Sequence, residues 1–198
     1  MCGRFYIAPE AALEKALDPQ TANLLKDLPI KFSGEIFPTD IVPVFTQAKG
    51  RRLAKPMTWG FPGWNGKSVI FNARQETALE KAMFKRSLLD RRVAVQTSGF
   101  YEWTSVAGQK KKVRYLFTWP GEQFLFLAGF WKSYDVASGS PIPERFTVLT
   151  TEANESMASY HNRMPIVLAE GELDDWLAGE GFQKYLKRPQ ANLKADLA

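Results

Sequence analysis

Residues 92–104 read Arg92-Val93-Ala94-Val95-Gln96-Thr97-Ser98-Gly99-Phe100-Tyr101-Glu102-Trp103-Thr104. Val93–Thr97 is rich in β-branched residues and Phe100–Thr104 in aromatic ones. Such residues suit a pleated, half-buried surface, so the stretch predicts two short strands around Ser98-Gly99. Leu53–Trp59, Val113–Trp119, Phe124–Trp131 and Phe146–Thr150 are further β-rich pieces, and Ile41–Thr46 reads as another strand. Turn signals such as Pro120-Gly121 and Ser138-Gly139 separate several of them. Helical patterning is sparser. Pro9–Leu17 and Thr21–Leu28 predict two short helices, the second ended by Pro29, and Glu172–Leu186 a C-terminal one. Glu76–Leu89 predicts the longest, with Leu79, Ala82, Met83, Phe84, Leu88 and Leu89 at near-helical spacing and Lys and Arg opposite. Many short strands with a few helices predict an α+β fold, a curved, mainly antiparallel sheet or open barrel with flanking helices.

The 198 residues fit one domain, and the scattered Pro and Gly residues mark no linker. At 45% apolar and 13% aromatic, the chain can bury a sizeable core, which excludes disorder as its main state. Its longest nearly apolar run, Phe124–Trp131, falls far short of the roughly 18 residues a membrane helix needs. The segment after Arg4 is broken at Pro9 and Glu10 and has no signal-peptide pattern, so a cytosolic location is expected. One cysteine and one histidine provision neither a disulfide nor a soft-metal cluster, and no cofactor is expected. The net charge of +5 favours a polyanionic partner. Lys110, Lys111 and Lys112, beside a hairpin loop at Gly108, read either as a solvated turn or as a phosphate contact.

Cys2 is the first residue with distinctive chemistry. A lone cysteine is commonly a small buried apolar residue. At position two, however, removal of Met1 would leave a free α-amine and a thiol on adjacent carbons, a 1,2-aminothiol. The amine can form a Schiff base with an aldehyde, and the thiol can close onto the same carbon as a five-membered ring. Thiolate attack on an acyl group is the alternative. His161 is the sole histidine; imidazole titrates near neutral pH and suits proton donation, although such a residue can equally be a satisfied structural one. Glu102 lies between large aromatic residues and would suit proton transfer if it faces inward, or be a soluble edge residue if strand alternation turns it outward. Asn72 reads as a cap for the long helix or as an amide that holds a polar intermediate. In Trp59-Gly60-Phe61-Pro62-Gly63-Trp64, Trp59 reads as core and Trp64 as an exposed stacking wedge, with Arg74 close in sequence.

Taken together, Cys2-Gly3-Arg4-Phe5, Trp59-Gly60-Phe61, Asn72-Ala73-Arg74-Gln75-Glu76-Thr77, Gly99-Phe100-Tyr101-Glu102-Trp103, Ala128-Gly129-Phe130-Trp131 and His161-Asn162-Arg163-Met164-Pro165 resemble the SRAP family, the SOS response-associated peptidases. Each motif is weak alone; their order over residues 2–168 is specific. The resemblance implies a sensor of abasic sites in single-stranded DNA that links covalently to the ring-opened deoxyribose through a thiazolidine. It implies Cys2 as nucleophile, Asn72 as the group orienting the amine or adduct, Glu102 as proton shuttle and His161 as the acid for sugar opening and for reversal. It further implies release of Met1 with Glu102 as catalyst, phosphate contacts from Arg4, Arg74 and Arg163, and packing of Trp64 and Pro38 against the bases flanking the lesion. A monomer without membrane attachment is the expected state.

Three departures from the family pattern are visible. Glu35 stands where an asparagine is usual, Gln96 where a proline is common, and the chain is expected to lack, at its end at Ala198, the C-terminal strand that many of the family carry. Two other functions fit the same residues. An N-terminal cysteine hydrolase would use the Cys2 thiolate on amides. A non-catalytic single-strand binder would need only Trp64 and the arginines.

Overall fold

A computed structural model describes residues 2–9, 27–64, 66–106, 108, 110–135, 140–179 and 181–198. The two helices expected between Pro9 and Leu28 lie, their ends excepted, outside the described residues, as does the Ser138-Gly139 turn. The strands in chain order are β1 (Phe5–Ile7), β2 (Gly34–Ile36), β3 (Ile41–Ala48), β4 (Arg51–Trp59), β5 (Phe61–Pro62), β6 (Val69–Ile70), β7 (Asn72–Arg74) and β8 (Arg92–Thr97). They continue as β9 (Gly99–Thr104), β10 (Val113–Thr118), β11 (Leu125–Ser133), β12 (Glu144–Glu152), β13 (Arg163–Pro165), β14 (Val167–Leu168) and β15 (Lys194–Leu197). The helices are α1 (Gln75–Ala78), α2 (Ala82–Asp90), α3 (Glu155–Ala158), α4 (Leu173–Ala178) and α5 (Gln183–Lys187).

The larger sheet runs β13-β12-β4-β3-β8-β11-β14, with β11 also pairing β12, so β12, β4, β3, β8 and β11 curl round into a barrel. Two seams are thin. β3 meets β8 at Phe45↔Ala94, and β12 meets β4 in parallel at Arg145↔Thr58 and Phe146↔Trp59. The smaller sheet, β15-β10-β9-β1-β2, is antiparallel throughout. The chain passes between the sheets at Ser98, whose amide donates to the Tyr6 carbonyl at 2.8 Å while its Oγ accepts from the Ala8 amide at 2.9 Å. Gly99 follows because a Cβ there would lie 2.7 Å from the Phe117 carbonyl oxygen.

Strand alternation divides the interior in two. Val93 and Val95 of β8, Leu125 and Leu127 of β11, and Phe146 and Val148 of β12 face one core, which also holds Phe5, Trp59, Phe100 and Cys2. Ala94, Phe126, Ala128, Phe130 and Leu149 face the other, where Phe84, Leu88 and Trp176 of the flanking helices pack. β8 is therefore buried along its whole length, and Gln96 sits within it opposite Phe126, inside the ladder and away from its edge. Trp59 is the core residue its position suggested, 4.8 Å from Phe5 between ring centroids and stacked on Phe146.

Three expectations need correction. The long helix at 76–89 is two helices, α1 and α2, parted at Lys81, whose backbone is extended (φ −74°, ψ 121°). Tertiary contacts outweigh the continuous periodicity there. Gln75 is tied to Thr151 at 2.7 Å and Glu76 to Arg163, whereas Phe84 and Leu88 follow the second core. The C-terminal helix is likewise α4 and α5, because Gly179 takes a left-handed φ of 105° and ends the first of them. A Cβ at Gly179 would meet the Arg92 guanidinium at 2.4 Å. Finally, a C-terminal strand is present: β15 pairs with β10 from Tyr115↔Leu197 to Thr118↔Lys194 and covers that sheet edge. No helix among the described residues is long and apolar enough to cross a membrane.

Candidate active site

Cys2 is fully buried at the junction of the two sheets. β1 and β9 set its place, pairing Phe5 with Phe100 and Tyr6 with Gly99 while the Tyr101 amide donates to the Arg4 carbonyl at 2.9 Å. Carried further, the same register sets Gly3 opposite Glu102, one residue from Cys2. From the opposite side comes β7, which runs parallel to β12 with Asn72 beside Val148. Alternation turns Ala73 into the helical core and Asn72 the other way, where Nδ2 donates to the Cys2 carbonyl oxygen at 2.8 Å. Asn72 Oδ1 is buried and has no hydrogen-bond partner among the described residues. An amide with one end fixed to the Cys2 backbone and an open acceptor beside it can receive a further N–H. The alternative, a side-chain cap on the helix, is not what Asn72 does: Arg74 is the residue at the helix N-cap, and no side chain caps it.

Glu102 faces inward and is 4% exposed, which answers the question that alternation left open. Burial, followed by the nearby Glu102 carboxylate, pushes the Cys2 thiol far above its usual range. The sulfur is thus held as a neutral thiol. Across β9 and β10, Glu102 pairs with Tyr115, and the Tyr115 ring meets Tyr160 edge-on with 4.7 Å between centroids. Tyr160 also packs on Phe117 and precedes His161, so the histidine loop docks on the stretch of sheet that carries Glu102. The Arg163 amide donates to His161 Nδ1 at 2.9 Å, and the Arg163 carbonyl lies 3.2 Å from the same nitrogen, so the Arg163 backbone holds the ring whether Nδ1 accepts or donates.

Beside Asn72 opens a cleft of about 560 Å³ whose wall includes Ile70, Arg74, Lys81, Met83 and, at its rim, Trp64. Trp64 lies between β5 and β6 and is 93% exposed, an uncommon state for an indole. Arg74 is also exposed. The other expected DNA contacts are distributed differently. Pro38 is half-buried in the turn after β2, where the Thr39 amide donates to the Trp59 carbonyl. Arg4 bonds Glu35 at 3.2 Å and lies over the rings of Phe37 and Trp103. Arg163 is the clearest departure from a free phosphate contact. Its buried guanidinium grips both oxygens of Glu76 at 2.7 and 2.9 Å and donates to the Thr150 carbonyl at 2.7 Å. In this state it anchors β13 to α1 and, through its amide, orients His161. Lys110, Lys111 and Lys112 are exposed, the solvated turn of the simpler reading.

Sequence reasoning did not find Glu76, Arg114 or Tyr160. Glu76 stands in the Asn72–Thr77 motif but carries no role there until Arg163 is placed beside it. Arg114 and Tyr160 acquire meaning only through partners distant in the chain, Glu35 and Tyr115. Among the described residues no group of three or more His, Cys, Asp or Glu side chains is placed to hold a metal ion.

The fold has close counterparts among solved structures. A protein from Bacteroides thetaiotaomicron superposes with a TM-score of 0.77 at 18% identity, covering 99% of this chain and 91% of that one. One from Bordetella bronchiseptica does so with a TM-score of 0.71 at 21% identity, covering 100% and 99%. These likenesses show the fold, an α+β barrel-and-sheet architecture. The sequence profile described as SOS response associated peptidase (SRAP) matches residues 1–196, and the chain belongs to that family. Similar proteins include the abasic site processing protein YoaM of Bacillus subtilis, 32% identical over 143 residues. That match takes in 70% of this chain and 62% of YoaM. The abasic site processing protein YedK of Escherichia coli is 27% identical over 189 residues, with 91% of this chain and 81% of YedK covered.

Proposed function

We propose that this protein processes abasic sites in single-stranded DNA by forming a thiazolidine crosslink through Cys2 after Met1 has been removed. The observation that carries this reading is the setting of Cys2. Cys2 is fully buried, burial and then Glu102 push its thiol up, and its carbonyl accepts from Asn72 at 2.8 Å. A thiolate nucleophile needs the opposite environment, so the setting weighs against an amide hydrolase. A thiazolidine needs the amine to act first and the thiol only afterwards.

The steps balance. Protonated His161, its Nδ1–H directed at the Arg163 carbonyl, gives its Nε2 proton to the ring oxygen of the closed sugar while Glu102 takes the proton of the C1 hydroxyl, and the aldehyde is released. The Cys2 amine adds to the aldehyde carbon, with Asn72 Oδ1 accepting an N–H. The carbinolamine hydroxyl leaves as water with the proton held by Glu102, which gives the iminium. The sulfur adds to that carbon and surrenders its proton to Glu102. Reversal runs the same path backwards, with Glu102 returning a proton to the sulfur and His161 taking one back as the sugar closes. Removal of Met1 would use Glu102 to activate a water against the Met1–Cys2 amide.

Trp64 stacks on a base beside the lesion, Arg74 contacts a phosphate along the cleft, and Pro38 packs on the other flank. Arg4 joins them after exchanging its carboxylate partner, and Arg163 could do so only by giving up Glu76. The names of YoaM and YedK support the abasic substrate. A denaturing gel with abasic single-stranded DNA tests the reading: a band that survives denaturant is expected, and binding without such a band would reduce the protein to a strand binder.

A further inference from the structure

On the outer face of the smaller sheet, two cations converge on one carboxylate. Glu35 of β2 accepts from Arg114 at 2.7 Å through Oε1 and from Arg4 at 3.2 Å through Oε2. Both guanidiniums lie over aromatic rings. Arg4 lies 4.2 Å from the Phe37 centroid and 4.9 Å from that of Trp103, and Arg114 lies 4.7 Å from that of Tyr101. Ring stacking fixes a guanidinium without using its N–H donors, so the two remain aimed at a common point when the carboxylate leaves. Two forks converging on a pair of oxygens fit a phosphodiester as well as a carboxylate.

We infer that Arg4 and Arg114 form a phosphate site whose resident counter-ion is Glu35, and that a backbone phosphate of the bound strand displaces Glu35 to occupy it. The inference rests on the proposed function and deepens it. Arg4 is two residues from Cys2 in the chain, which ties the site to the segment that carries the cysteine. All three side chains are near 30% exposed, which lets solvent weaken the ion pairs and makes exchange with a phosphate feasible. Glu35 thereby lowers affinity for strands in general, and Arg114 becomes a contact residue.

The sign of one substitution separates this role from a scaffolding one. Glu35→Gln leaves the shape and frees the cations. With an intact single strand, where no crosslink can form, it should bind about fivefold tighter at 0.1 M salt, and its log–log salt slope should steepen by about 0.7. Adding Arg114→Ala to Glu35→Gln should abolish the gain, with melting temperatures confirming that each variant folds. Equal or weaker binding by Glu35→Gln would mean that Glu35 merely holds the arginines in place, and would overturn the inference. Calorimetry of Glu35→Gln with inorganic phosphate alone is the second arm: tight saturation there would assign the site to free phosphate instead of a strand. If wild-type protein crosslinks abasic DNA while the Glu35 effect is missing, only this inference fails. If the Glu35 effect is seen without a crosslink, only the proposed chemistry fails.

Discussion

Asn72 Nδ2 and the Cys2 carbonyl oxygen are 2.8 Å apart, joined across 70 residues of sequence by a bond that fixes the N-terminal segment against the barrel. Because the bond holds the backbone of Cys2, it sets where the amine and thiol stand relative to the cleft. Asn72→Ala should slow adduct formation by about 10- to 100-fold, the equivalent of one well-placed hydrogen bond in a buried site. Asn72→Asp should be no better, because it keeps an acceptor and loses the donor. Single-turnover rates with an abasic oligonucleotide check both.

Glu102 and His161 are expected to fail differently. His161→Ala should slow crosslinking and reversal together by roughly 10² to 10⁴, as loss of a general acid does. Glu102→Gln should slow crosslinking and also leave Met1 in place in a host with weak aminopeptidase activity, which intact mass of the purified protein reads directly. Wild-type rates in both variants would make the pair structural.

Trp64 supports almost nothing in the fold, since it is 93% exposed. Trp64→Ala should therefore leave the melting temperature unchanged and weaken binding of single strands by roughly tenfold to a hundredfold, base stacking being worth about 1 to 3 kcal/mol. Arg74→Ala should weaken binding to every sequence and flatten the salt slope by about 0.7. Fluorescence anisotropy at several salt concentrations measures both.

The Arg163–Glu76 pair predicts an acid-dependent stability. Hydrogen bonding to Arg163 holds the Glu76 carboxyl below its usual range. A depressed folded-state value means that the stabilisation is present at neutral pH and is lost as pH falls through that value. The gap in melting temperature between wild type and Glu76→Gln should thus be widest near pH 7 and should shrink below about pH 4. A gap independent of pH would show that the pair contributes by shape alone.

The strands were legible because alternation of apolar residues is a local property. Val93–Thr97 and Phe100–Thr104 became β8 and β9 with at most one residue added at an end. The break at Lys81 was not legible, because Leu79 through Leu89 keeps a helical period and only the separate anchoring of Glu76 and Phe84 divides it. Lys194-Ala195-Asp196-Leu197 has little β-propensity and forms a strand by docking on the β10 edge. In the site, Cys2 drew attention through its own chemistry, whereas Glu102 needed the pleat to decide its direction. Asn72 needed β7 to bring it to Cys2. The Glu35–Arg114 contact joins strands 79 residues apart and left no local trace.

The central claim is that the amine and the thiol of Cys2 act together on an aldehyde, and intact-mass analysis after reaction with a short abasic oligonucleotide tests it most directly. Protein beginning at Cys2 should gain the mass of the oligonucleotide less one water. Protein that retains Met1, or carries a tag ahead of Cys2, should gain nothing stable, because its amine is an amide and its thiol alone forms only a reversible hemithioacetal. A stable adduct on the blocked protein would contradict the thiazolidine mechanism.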